Sequence, residues 1–143
     1  GVQTCALPIL DDEIDFHVMD DSTLSTFSKE ETDHLVATGK YNVQAVRKIK
    51  LTTIDKVIEK YCQGRFPDFL SIDVEGLDYD ILRSIDFNKY WPKVICVEAA
   101  EYSPVGTGAR RTDLIDFLVS KGYYEYANTN LNAIMVKNEF WFV

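Results

Sequence analysis

Asp73, Glu75 and Glu98 are the side chains whose type and spacing could do chemistry in this 143-residue sequence. Asp73-Val74-Glu75-Gly76 closes the apolar run Phe69-Leu70-Ser71-Ile72, and Glu98 closes a second, Val94-Ile95-Cys96-Val97. A carboxylate at the end of a buried strand can take the proton of a hydroxyl as general base, or orient that hydroxyl by accepting its hydrogen bond. Ligands of open α/β sheets bind at this carboxyl edge. Asp73 is the first candidate base, Glu75 the second, and Glu98 a candidate for lining the same crevice. Each also has a structural reading. Asp73 can bond loop amides, Glu75 can favour the positive end of the next helix, Glu98 can cap a turn, and Gly76 can supply only a special backbone conformation.

The remaining reactive types fall away. His17 lies on the polar side of a strand pattern and His34 in a polar helix pattern, which reads as solvent exposure for both. Cys5, Cys62 and Cys96 lack CxxC spacing, and two histidines make no zinc pattern. Cys96, inside an apolar run, reads as a buried, unreactive thiol. Two carboxylates without further oxygen ligands make weak support for a hard metal, so no metal is expected. Tyr123, Tyr124, Tyr126, Phe140, Trp141 and Phe142 read as core and edge packing.

These residues need strands and helices to position them. Glu13 to Val18 alternates polar with apolar, which predicts a half-buried strand. Ser28-Lys29-Glu30-Glu31 is a capping box and Gly39 a stop, predicting a helix from Lys29 to Thr38. A strand is expected over Val43 to Leu51 and a helix over Thr53 to Tyr61. Phe69 to Val74 reads as a buried strand, Leu77, Ile81, Leu82 and Ile85 as one helix face, and Val94 to Val97 as another buried strand. That succession predicts a parallel crossover. If the first strand persisted, Asp73 and Glu75 would share one side of it. A helix follows from Arg111 to Lys121 with Gly122 as its cap, then two strands, Tyr123 to Ala127 and Ala133 to Val136, joined closely enough to pair antiparallel.

Composition narrows the classes. The chain is 46% hydrophobic and 27% charged, suited to one core. Its net charge of -8, from 15 basic and 23 acidic residues, disfavours nucleic acid and anionic lipid surfaces. No apolar run approaches the roughly 20 residues needed to span a bilayer. A soluble protein of the reducing cytoplasm is the expectation.

The residues Pro67-Asp68-Phe69-Leu70-Ser71-Ile72-Asp73-Val74-Glu75-Gly76, then Ile81-Leu82, then Pro92-Lys93-Val94-Ile95-Cys96-Val97-Glu98, resemble the FkbM family of S-adenosylmethionine-dependent methyltransferases. The likeness runs from about Thr53 to Val136. Many relatives carry Lys where this chain has Ser71, so no role of that lysine transfers. The resemblance implies an α/β, Rossmann-like class I methyltransferase fold, here incomplete. Its sheet would be mostly parallel with an antiparallel C-terminal strand pair, and the strands beginning at Phe69 and Val94 would be its fourth and fifth. It further implies S-adenosylmethionine as cofactor and metal-free O-methylation of a small-molecule or glycan acceptor. A noncatalytic α/β binding or interaction domain is the alternative.

Such folds hold the donor with a Gly-rich loop after the first strand and an acidic residue ending the second. Gly106-Thr107-Gly108 is the only GxG, and it follows the fifth-strand candidate. Residues 1–9, Gly1-Val2-Gln3-Thr4-Cys5-Ala6-Leu7-Pro8-Ile9, look like read-through of a sequencing adapter. The expected division is therefore a non-native leader over 1–9 and a partial methyltransferase domain over 10–143, its donor-binding front half missing and the chain inactive alone.

Overall fold

The computed structural model describes residues 13–74, 77–100 and 108–141. Residues 1–9, Glu75, Gly76, most of Gly106-Thr107-Gly108, the Trp141 side chain and Phe142 lie outside the described residues. Two compact units divide the chain, one with residues 13–57 and Val74–Ser84, the other with Ile58–Asp73 and the chain from Ile85 onward.

The first unit contains strands β1 (Glu13–Met19) and β2 (Val43–Lys50), which pair antiparallel from Glu13 opposite Lys50 to Met19 opposite Val43. Helix α1 (Lys29–Ala37) lies between them in sequence. Ser28 Oγ accepts the Glu31 N–H at 3.1 Å, as a capping box requires. The reciprocal half is relayed. Glu31 Oε2 accepts the Thr26 hydroxyl at 2.8 Å, and Thr26 Oγ1 accepts the Ser28 N–H at 3.1 Å. Gly39, at φ +71°, ends the helix by donating to the Val36 carbonyl. Helix α3 (Asp78–Ser84) also belongs to this unit and buries Ile81 and Leu82.

The chain passes between units within helix α2 (Ile54–Cys62). In the second unit, strands β3 (Phe69–Ile72), β4 (Val94–Glu98), β5 (Tyr123–Asn128) and β6 (Asn132–Lys137) form one sheet in the order β3-β4-β6-β5. β3 and β4 are parallel, as the strand-helix-strand rhythm predicted. β5 and β6 pair antiparallel, also as expected. One face of the sheet is sealed by Ile72, Ile95, Val97, Ala133, Met135 and Tyr123. Helix α4 (Thr112–Ser120) buries Leu114 and Leu118, and the short helix α5 (Asn138–Trp141) follows β6.

Three expectations need correction. Among the described residues antiparallel pairing is not confined to the C-terminal strand pair: β6 also pairs antiparallel with β4, so β3, β4 and β5 run in one direction, β6 runs against them, and β3–β4 is the single parallel ladder. The tight link after β5 turns β6 back, and β6 then fills the edge of β4. Second, β3 stops at Ile72 instead of reaching Val74, because the Val74 N–H bonds the Asp78 side chain and its carbonyl accepts the Leu77 N–H. Third, Cys96 and His17 are half-buried, where burial and exposure were expected; His17 exchanges both backbone bonds with Thr26. His34 is exposed as read. Of the aromatics, Tyr123 is core, whereas Tyr126 and Phe140 are exposed.

Candidate functional site

The β3–β4 ladder runs from Phe69 opposite Val94 to Ile72 opposite Val97. The next residue on each chain is a carboxylate, Asp73 after β3 and Glu98 at the end of β4. Each is thus the next residue after the last register pair, Ile72 with Val97, at the carboxyl edge of the ladder. Asp73 is exposed and Glu98 half-buried. Glu75, the second candidate base, lies outside the described residues. Phe69 and Ser71 lie on one face of β3, the more open one, while Ile72 is buried on the other.

β6 extends this edge. Glu98 is the register partner of Asn132, the first residue of β6, and the Ala99 N–H donates to the Leu131 carbonyl at 2.8 Å. Glu98 and Asn132 therefore form a polar row across two strand ends, and Asp73 follows Ile72 at the end of the neighbouring β3. The row behind it is Ser71, Cys96 and Ile134.

Past β4, Ala100 pairs with Arg110, and the Arg111 N–H donates to the Ala99 carbonyl at 2.8 Å, which returns the chain to the same strand end. Arg110 is held there by an ion pair with Glu125 of β5. Arg111 pairs with Asp113 at 3.2 Å, and that hydrogen bond holds the Asp113 carboxyl below its ordinary range. These pairs place balanced charge beside the polar row.

Sequence reasoning missed two residues. Asp78, 2% exposed, accepts the Val74 N–H through Oδ1 at 3.3 Å and anchors the residue that follows Asp73. Its signal was an acidic residue in the first turn of a predicted helix. Asn132 had no such signal, because a polar residue after Asn128-Thr129-Asn130 reads as loop.

Among the described residues, no group of three or more His, Cys, Asp or Glu could hold a metal ion, and no helix is long and apolar enough to cross a membrane.

Fold and site define a mixed α/β protein with one parallel strand pair among the described residues. The family model described as methyltransferase FkbM domain matches residues 2–124, and the chain belongs to that family. Its domain is a methyltransferase domain. No curated protein and no solved structure matches the chain.

Proposed function

We propose that the protein transfers a methyl group from S-adenosylmethionine to a hydroxyl oxygen of a small molecule or glycan. The observation carrying this reading is the parallel β3–β4 register, whose last pair, Ile72 with Val97, is followed in sequence by a carboxylate on each side, Asp73 and Glu98. A Rossmann-like class I fold with β3 and β4 as fourth and fifth strands accords with that ladder and with the antiparallel pair beyond it.

Carboxylates at this edge accord with a donor that carries a positive sulfonium, because they favour a nearby positive charge. When bound, S-adenosylmethionine supplies an electrophilic methyl group. Asp73 is the base that takes the acceptor hydroxyl proton, with Glu75 as second candidate. Glu98 orients the acceptor by accepting a hydrogen bond. The rest of the catalysis comes from positioning. Free thiols at Cys62 and Cys96 accord with a reducing compartment, the cytoplasm.

The test is where the label lands. Incubation with donor carrying a carbon-13 methyl group and a panel of hydroxylated acceptors should yield a product whose labelled carbon has the NMR shift of a methoxy group. Label on nitrogen or carbon would overturn the O-methylation reading, and no transfer would favour a noncatalytic binding domain.

A further inference from the structure

The polar row contains one member that is not a carboxylate. Asn132 stands opposite Glu98 in the β4–β6 register. Side chains of directly opposed residues project from the same face with Cβ atoms about 4.5–5.5 Å apart. The Asn132 backbone is fixed by Thr129, whose Oγ1 accepts its N–H at 3.1 Å and whose N–H donates to its carbonyl at 2.9 Å. The carboxamide is half-buried and makes no hydrogen bond among the described residues. A partly desolvated polar group left open at a strand end is available to a ligand.

The chemistry of the pair is asymmetric. A carboxylate only accepts, whereas a carboxamide offers two donor hydrogens and an acceptor oxygen. Side by side they suit two neighbouring hydroxyls, one donating to Glu98 and the other accepting from, or donating to, Asn132. We infer that Asn132 is a specificity-determining residue that contacts a second hydroxyl next to the one oriented by Glu98, so that the acceptor is a vicinal diol such as a sugar ring. This rests on the acceptor-side reading of the strand edge. A site built to bond a hydroxyl rejects an analogue lacking it, since its polar group is left unpaired.

The experiment uses methyl hexopyranosides and their 3-deoxy analogues, which have no vicinal diol, as probes, with binding read by saturation-transfer NMR. Wild-type protein should favour the vicinal diols by about tenfold or more, in line with one lost hydrogen bond in a partly desolvated site. Asn132→Leu should bind diol and deoxy probes alike. Should that variant not fold, Asn132→Asp, of equal size but without donor hydrogens, should likewise reduce the preference. Absence of a diol preference in the wild type, or its survival in the folded variants, overturns the inference. Release of S-adenosylhomocysteine is measured separately. An Asn132-dependent diol preference without turnover supports the inference and counts against methyl transfer alone.

Discussion

The Asp78 carboxylate accepts the backbone N–H of Val74 at 3.3 Å from a position that is almost wholly buried. This bond replaces a ladder bond that β3 would otherwise seek and turns the chain out of the sheet directly after Asp73. Asp78→Ala removes the acceptor and leaves a part-buried donor, at a cost of about 1–3 kcal/mol. Asp78→Asn keeps an acceptor oxygen and should lose less. Denaturant midpoints of the two variants check this ordering, and equal losses would contradict it.

Tyr123 gives the fold a dependence on alkaline pH. Its side chain is buried, its hydroxyl donates to the Pro92 carbonyl at 2.7 Å, and burial pushes its pKa well above the ordinary value. A raised folded pKa means that the folded state keeps its proton where the unfolded chain releases it. The contribution is therefore complete below about pH 10 and declines as pH rises further. Stability measured from pH 8 to 12 should fall above pH 10, and Tyr123→Phe should blunt the fall while costing about 1 kcal/mol at neutral pH.

Gly122 ends α4 at φ +83°, and a Cβ there would come within 3.2 Å of Lys137 Nζ. That ammonium is engaged, donating to the Lys121 carbonyl at 2.6 Å and lying 5.0 Å from the Tyr123 ring centroid. Gly122→Ala should cost about 1–2 kcal/mol for the left-handed backbone alone, and more if the lysine is displaced. Gly39→Ala meets nothing within 4 Å and should show only the backbone part. Thermal denaturation of both variants separates the two effects.

Much of this architecture was legible because its signals are local. Continuous apolar runs announced β3 and β4, and Ser28 and Gly39 marked the ends of α1. What escaped depends on partners that no local pattern shows. The end of β3 is decided by a side chain four residues beyond Val74, and the antiparallel seat of β6 beside β4 by a non-local pairing. Asp73 and Glu98 stand out in the sequence because each closes an apolar run, and the parallel register of β3 with β4 followed from the crossover. Asn132 enters the row only through the β4–β6 ladder, and Thr26 enters the α1 cap only through its approach to Glu31. The corrected end of β3 also removes the argument that strand alternation sets Asp73 and Glu75 on one side.

Donor binding offers an independent check. Gly106-Thr107-Gly108 is the sole GxG and follows β4 in sequence, so no Gly-rich loop opening a helix directly after a strand can be assigned within the 143 residues. Calorimetric titration of this chain with S-adenosylmethionine should accordingly show weak binding. Micromolar affinity would mean that other residues form the donor site.

The central claim is that Asp73 is the base for methyl transfer, and its most direct test is the single-turnover rate of the protein against that of its Asp73→Asn variant. Asp73 is exposed, so the substitution should leave the denaturation midpoint nearly unchanged, within about 0.5 kcal/mol. The rate of methyl transfer from labelled S-adenosylmethionine to a hydroxyl acceptor should fall about 10²- to 10⁴-fold. A folded Asp73→Asn protein that transfers methyl at the wild-type rate would contradict the assignment.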